Sequence, residues 1–226
     1  MYSRNLNGAT VDLGVSGKLW NGVLVMFDHE SESLWTQVDG RAIKGEHQGE
    51  RLEHMNSEFT PWSTWIAAHP DTLVLEKTEE ELGQSASHYA DYFSDPDALF
   101  FPELGEGLGG IAPKDMIYGL RVDEAALAIK ASLLESTNLI SAVVAGTPVA
   151  IARDPATGFA VAFERRAASG AVLFPATVDG AFPTAELIDT ATGTHFDPKS
   201  LPQVRYDRTF WYAYKKSLPQ VAVMTD

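Results

Sequence analysis

The strongest constraint on the fold is that the end of the chain resembles its beginning. Residues 59–75 return in altered form as residues 208–223, and a constant offset of 149 positions places Trp62 over Trp211. Self-similarity over such a long period indicates a repeated structural unit. The sequence therefore predicts two related lobes that arose by internal duplication.

A second pair of segments supports the same alignment. Residues 26–35 align with residues 187–196, which places Asp28 over Asp189 at an offset of 161 positions. The difference between the two offsets, 149 and 161 positions, is about the length of one short hairpin. We therefore expect the second lobe to lack one hairpin that the first contains.

Apolar runs separated by turn residues predict a mainly β fold with short helices (α+β), in which each lobe is a β-meander closed by one helix. Thr60-Pro61 predicts a helix start and Pro70 its end, whereas the acidic, Ala-rich and Leu-rich segment 123–135 is the strongest helix candidate. The predicted strands are 23–27, 51–59, 73–75, 139–145, 148–152 and 159–163.

Each predicted repeat helix carries two aromatic residues at helical spacing. Trp62 and Trp65 lie on the first helix, and Trp211 and Tyr214 on the second. Such residues can form a sugar-stacking platform, but this spacing favours anchors that hold each helix on its sheet.

The predicted domain organisation is a first lobe at residues 1–76, an irregular connection at 77–122, and a helix plus second lobe at 123–226, with a single compact domain as the alternative. Gly105–Gly110 matches a dinucleotide-binding pattern literally, but prolines flank it. We interpret it as a loop within the connection.

Composition excludes several classes of function. The 226 residues include 31 acidic and 17 basic ones, and the formal charge of −14 argues against binding to nucleic acid or to an anionic membrane surface. The sequence has no cysteine, which excludes thiol nucleophiles and cysteine-ligated zinc. No apolar run approaches the ~18 residues that a membrane span requires.

The loop from Asp28 to Gln37 is the candidate site. Asp28, His29 and Glu32 supply carboxylates and an imidazole, which suit general acid–base catalysis. The alternative is a structural turn, because Asp and Ser side chains often bond to nearby backbone N–H groups.

The repeat helps to separate these interpretations. Asp189, Thr192 and Thr194 repeat the pattern of Asp28, Ser31 and Ser33, whereas His29, Glu32 and Gln37 differ, with Gly193 in place of Glu32 and Pro198 in place of Gln37. Features that recur are best explained as turn chemistry. A site confined to one lobe would therefore use the residues that differ.

Ligand-binding roles are predicted for Trp20, Ser33, Trp35 and Gln37, since the two tryptophans lie near loops. The six histidines show no metal-binding spacing, so no metal site is predicted, and the sequence leaves the cofactor unknown.

The chain resembles an uncharacterised prokaryotic family, domain of unknown function 3179. The resemblance rests on Gly14–Gly17, Leu24–Gln37, Gly49–Leu52, Trp62, His69–Leu75 and Phe210–Tyr214. Members of that family usually carry a Cys-Pro-Leu-Cys motif behind an export or lipoprotein signal, and this chain has neither. The resemblance implies an extracytoplasmic location and brings no established activity.

These observations leave three hypotheses. The first is a ligand-binding or interaction module whose small-molecule or carbohydrate ligand lies near the Asp28–Gln37 loop, in a cleft between the lobes. The second is a glycoside or ester hydrolase that uses Asp28 or Glu32 as acid or base, assisted by His29. The third is a subdomain that functions only within a longer cysteine-containing protein.

Overall fold

A computed structural model describes residues 1–55, 57, 60–78, 89–177 and 185–225 of the chain. The fold is mainly β, as predicted, with 39% of residues in strands and 16% in helices. The strands form several antiparallel sheets, and one pair is parallel.

The first part of the chain forms a hairpin and a four-stranded antiparallel meander. The hairpin comprises β1 (Asn5–Leu6) and β2 (Ala9–Thr10), and the meander comprises β3 (Leu13–Trp20), β4 (Val23–Asp28), β5 (Leu34–Thr36) and β6 (Ala42–Lys44). Asn21 and Gly22 both have positive φ, of 53° and 74°, as a tight two-residue hairpin between β3 and β4 requires. A small core around the fully buried Trp35 supports this part.

A second four-stranded sheet lies at the centre of the molecule. Its strand order is β15 (Arg205–Phe210), β7 (Met116–Val122), β8 (Ala125–Lys130) and β16 (Ala222–Met224), and β16 runs parallel to β8. One face packs against α4 (Trp211–Ser217), whose aromatic residues are buried. A Cβ added at Gly119 would lie 2.2 Å from Cζ of Tyr214, so the helix packs closely on the sheet because this position is glycine.

Two three-stranded antiparallel sheets complete the β structure. One contains β9 (Leu139–Val144), β10 (Thr147–Arg153) and β11 (Ala160–Glu164), and the other contains β12 (Phe174–Thr177), β13 (Ala185–Asp189) and β14 (Thr194–Phe196). The described α-helices besides α4 are α1 (Trp62–Ala68), α2 (Ala90–Ser94) and α3 (Ala131–Thr137), and short 3₁₀ helices lie at Pro102–Gly105 and Pro198–Ser200. None of these described helices has the length and apolar character needed to cross a bilayer.

Several predicted elements are confirmed. Strands predicted at 23–27, 139–145, 148–152 and 159–163 correspond to β4, β9, β10 and β11, and the two predicted repeat helices correspond to α1 and α4. The Asp28 and Asp189 hairpins also share a turn geometry, with Glu32 and Gly193 at φ values of 56° and 70°. The duplication itself stays a prediction.

The helix prediction for residues 123–135 is wrong in its first half. Residues 125–130 form β8, which pairs with β7 along its whole length, and the helix begins only at Ala131. Sheet pairing therefore outweighs the helix preference of Ala and Leu. The connection predicted to be irregular over residues 77–122 contains a regular strand, β7, at its end. Residues 79–88 of this connection lie outside the described part of the chain. The division into domains stays a prediction.

Two further predictions about the first repeat are wrong. Residues 73–75 form no strand, and Leu73 is 95% exposed. Trp62 and Trp65 anchor no core, because α1 has no buried residue, whereas Trp211 and Tyr214 of α4 are almost fully buried. The segment predicted as a strand at 51–59 contains only isolated bridges at Arg51 and His54, and residues 56, 58 and 59 lie outside the description.

Candidate functional site

Asp28 is fully buried, and hydrogen bonds occupy both of its carboxylate oxygens. Its Oδ1 accepts hydrogen bonds from the backbone N–H and the hydroxyl of Ser31, at 2.6 and 2.7 Å, and its Oδ2 accepts one from Nε1 of Trp35 at 2.8 Å. Burial would raise the pKa of this carboxyl, but the hydrogen bonds from Ser31 and Trp35 outweigh burial and hold its pKa below the usual range. The ionised carboxylate therefore fixes the turn between β4 and β5.

The other predicted site residues of this loop divide into buried and exposed ones. Trp35 and Ser33 are fully buried, and the Ser33 hydroxyl lies 2.7 Å from that of Ser31. His29 and Glu32 are exposed, and the His29 ring packs edgewise on Phe27. Trp20 is half exposed at the end of β3.

Gln37 connects the loop to a cavity of about 720 Å³. The walls come from the first meander, which lies in the predicted first lobe, and from the central sheet and the β10–β11 sheet, whose strands other than β7 lie in the predicted second lobe. Most of the lining is apolar or aromatic: Tyr2, Leu13, Val23, Met26, Val38, Phe93, Met116, Tyr118, Ala160 and Tyr206. Gln37, Asp207, Arg208 and Thr209 add polar groups.

A partly buried charge cluster lies beside the cavity, where the first meander meets the central sheet. We define it as Asp39, Arg51, His54, Arg121, Arg205 and Asp207. Nη2 of Arg205 donates to the Tyr2 hydroxyl at 2.9 Å and to the backbone carbonyl of Val38, and it lies 3.4 Å from Oδ2 of Asp207. Nε2 of His54 lies 3.7 Å from Oδ1 of Asp207.

The charge cluster shifts the pKa values of its members. Burial, together with the charges of Arg205, the N-terminus and Arg121, lowers the pKa of His54 to about 3. Burial raises the pKa of Asp207, although Arg205 and Arg121 oppose the change. Burial also raises the pKa of Tyr2 to about 12. At neutral pH His54 is therefore a neutral imidazole.

Hydrogen bonding within the charge cluster is incomplete. Among the described residues, buried polar atoms of Asp39, His54, Arg121, Arg205 and Asp207 have no hydrogen-bond partner. Because Asp207 also lines the cavity, one of these atoms belongs to a side chain that a ligand can reach.

Sequence reasoning missed most of the residues around this cavity. Asp207 and Arg208 lie on β15, Tyr2 precedes β1, and Met116 begins β7, so they are widely separated along the chain. The combination of charged and aromatic residues within 205–210 is the one local signal that could have identified part of this set.

The described residues contain no group of three or more His, Asp or Glu side chains arranged to hold a metal ion.

No curated protein and no solved structure matches the chain. The sequence model of the family described as "Protein of unknown function (DUF3179)" matches residues 1–221. Because the match extends over nearly the whole sequence, the chain belongs to the DUF3179 family.

Proposed function

We propose that the protein is a ligand-binding module whose ligand is a small, largely apolar organic molecule held in the 720 Å³ cavity. The cavity is the observation that carries this proposal. Its volume falls within the ~300–1,000 Å³ typical of small-molecule sites, which combine apolar walls with a few polar groups.

The composition of the walls favours an apolar molecule over a carbohydrate. Sugars are usually bound by many polar side chains and by exposed aromatic faces. Here three tyrosines, one phenylalanine and several aliphatic side chains form most of the lining. Gln37 is the predicted ligand-binding residue that lines this cavity.

The geometry gives the hydrolase hypothesis less support. The hydrogen bonds within the turn occupy both oxygens of Asp28, so acid–base chemistry would depend on Glu32 and His29. Both side chains are exposed, and neither lines the cavity.

Blocking the cavity at its exposed edge tests the proposed function. Gln37 lines the cavity and is exposed, so Gln37→Trp should obstruct it without disturbing the core. Gln48→Trp is the matched control, because Gln48 lies in an exposed turn away from the cavity. The probe is 4-phenylbutan-1-ol, and the measurements are ligand-observed NMR and thermal stabilisation.

We expect the probe to bind wild type and Gln48→Trp, and to stabilise them in proportion to RT ln(1 + [L]/Kd). Binding to Gln37→Trp should be at least about tenfold weaker, since an indole ring would occupy part of the site. Equal binding to Gln37→Trp and Gln48→Trp, or no binding to wild type, would refute the proposal.

A further inference from the structure

An apolar segment that follows α1 is exposed. Leu73, Val74 and Leu75 are 95%, 68% and 92% exposed. In the part of the chain that the structure describes, the backbone N–H and C=O groups of residues 73–77 have no hydrogen-bond partner. Exposed apolar side chains beside unpaired backbone groups form a template for pairing with another strand.

The segment that aligns with residues 73–75 is a strand. At the offset of 149 positions these residues correspond to β16, which follows α4. In both places the C-cap carbonyl of the helix, in His69 or Leu218, accepts a hydrogen bond from the backbone N–H three residues later. β16 pairs with β8, which provides an edge beside it. The same local arrangement therefore precedes a paired strand after α4 and an unpaired segment after α1.

The sequence of residues 71–77, Asp-Thr-Leu-Val-Leu-Glu-Lys, is complementary to itself in the antiparallel direction. When Val74 lies opposite Val74 of a second copy, Leu73 lies opposite Leu75, and this apolar contact occurs twice. Directly opposed side chains on paired strands contact each other, and side chains two positions apart project from the same face. The pairing thus brings four leucines together on one face.

The charged residues at the two ends of the segment select this direction. In the antiparallel register, Asp71 of each copy lies opposite Lys77 of the other, which gives two ion pairs on the face of the leucines. A parallel, in-register pair would place like charges opposite each other at both ends, which destabilises a sheet. Both side chains are exposed, so each can meet a second copy. Charge complementarity therefore favours an antiparallel pair of identical segments.

We propose that two copies of the chain associate through residues 71–77, which pair as antiparallel strands about a two-fold axis at Val74. Such a contact uses the same edge of each copy, so association stops at the dimer. The pairing provides partners for the backbone groups of the segment and covers its apolar side chains. A contact of this small size gives a weak, reversible dimer. Because residues 71–77 do not line the large cavity, the dimer is independent of the proposed function.

Charge reversal tests the register. The variants are Asp71→Lys and Lys77→Asp, and sedimentation equilibrium at low salt measures the dissociation constant of the dimer between about 1 μM and about 1 mM. Asp97→Lys is the control, since it makes the same charge change as Asp71→Lys at an exposed residue outside the segment. Asp71→Lys and Lys77→Asp change the net charge of −14 in opposite directions, so a general effect of net charge cannot weaken both dimers.

Wild type and Asp97→Lys should dimerise with similar dissociation constants. Asp71→Lys and Lys77→Asp should each dimerise at least about tenfold more weakly, because each change places like charges opposite each other at both ends of the pair. An equimolar mixture of these two variants should recover the association of wild type, since a pair of unlike copies again places opposite charges at both ends.

Cysteine cross-linking tests the two-fold axis, and the chain has no cysteine of its own. In Val74→Cys the two thiols of the dimer lie directly opposite each other, close enough for a disulfide. In Leu73→Cys they lie two positions out of register, beyond the reach of a disulfide. Val74→Cys should therefore oxidise to a covalent dimer at least about tenfold faster than Leu73→Cys, although Leu73 is the more exposed residue.

The inference is overturned if wild type remains monomeric up to about 1 mM, or if both charge variants dimerise as wild type does. It is also overturned if the mixture of the two variants associates no more than either variant alone, or if Leu73→Cys cross-links as fast as Val74→Cys. None of these outcomes affects the proposed binding of a ligand in the large cavity.

Discussion

At the scale of single residues, Asp28 has the clearest structural role. Its fully buried carboxylate accepts three hydrogen bonds within its own turn. The comparison of the two repeats predicted that the residues common to the Asp28 and Asp189 turns stabilise the turns themselves. The hydrogen bonds of Asp28 support that interpretation. The repeat could not show which of the two turns is more deeply buried or more fully bonded.

We predict that Asp28→Asn lowers the free energy of unfolding by roughly 2–3 kcal/mol, since the amide keeps only one acceptor oxygen and its NH₂ group would face a donor, either Nε1 of Trp35 or the N–H and hydroxyl of Ser31. Chemical denaturation at neutral pH measures this change. Asp189→Asn is the matched control and should cost less, because the one side-chain hydrogen bond described for Asp189 is to its Oδ1, which the amide retains. Equal costs for the two variants would contradict this account.

The same carboxylate should affect the pH dependence of stability. The pKa of Asp28 is lower in the folded chain than in the unfolded one. Its stabilising contribution is therefore complete above the unfolded pKa of about 4 and is lost as the pH falls through the folded value. The stability difference between wild type and Asp28→Asn should accordingly narrow in acid. A difference that does not change with pH would contradict the assigned pKa direction.

His54 should destabilise the protein at moderately acidic pH. The unfolded chain binds a proton at His54 below about pH 6.5, whereas the folded chain does so only near pH 3. Between these values the unfolded state holds more protons, so stability falls with decreasing pH by up to about 1.4 kcal/mol per pH unit from this group. Denaturation curves of wild type and His54→Phe between pH 7 and pH 4 measure it. Parallel pH profiles would contradict the prediction.

At the scale of elements, α1 and α4 show what a sequence pattern can and cannot predict. Both helices have seven residues, begin with tryptophan and have similar backbone angles at their ends. The pattern therefore predicted the helices correctly. It could not predict that α4 is buried against the central sheet while α1 has no buried residue. The burial of a helix depends on which other parts of the chain pack against it.

Matched substitutions in the two helices test this difference. Trp211→Ala and Tyr214→Ala should each lower the free energy of unfolding by about 3–5 kcal/mol, as expected for buried aromatic residues. Trp62→Ala and Trp65→Ala, at the equivalent positions of α1, should each cost less than about 1 kcal/mol. Comparable losses in both helices, measured by chemical denaturation, would show that α1 is packed in solution.

Gly119 should tolerate no side chain while Tyr214 lies on it. A Cβ at this position would overlap the Tyr214 ring, so we predict that Gly119→Ala destabilises the protein by about 1–3 kcal/mol. Tyr214→Leu removes the overlapping ring atoms. The double variant should therefore be more stable than the sum of the single effects predicts. Simple additivity would contradict the close packing of α4 on β7.

The segment at 125–130 shows why one helix prediction failed. Its Ala-rich and Leu-rich composition favours a helix, but each residue of β8 is paired with a residue of β7. Local preference amounts to a few tenths of a kcal/mol per residue, and tertiary pairing readily exceeds it. The strands flanked by clear turns, such as β10 and β11, were predictable because turn residues and apolar runs agree there.

At the scale of the whole molecule, two parts of the chain predicted to be separate lobes line one cavity and share one partly buried charge cluster. The sequence predicts a ligand site in a cleft between lobes, and Gln37, one of the residues predicted to bind the ligand, lines this cavity. It could not predict the rest of the lining, because residues such as Tyr2, Met116 and Asp207 meet only through sheet topology. No local pattern records that juxtaposition.

The most direct test of ligand binding in the cavity uses the five methionines of the chain as built-in reporters. Met1, Met26 and Met116 line the cavity, whereas Met55 and Met224 do not. Methyl NMR spectra of a methionine-labelled sample, titrated with 4-phenylbutan-1-ol, should show saturable shifts for Met26 and Met116 and none for Met55 and Met224. Shifts confined to Met55 or Met224, or no saturable shift at all, would contradict the proposal that this cavity binds the ligand.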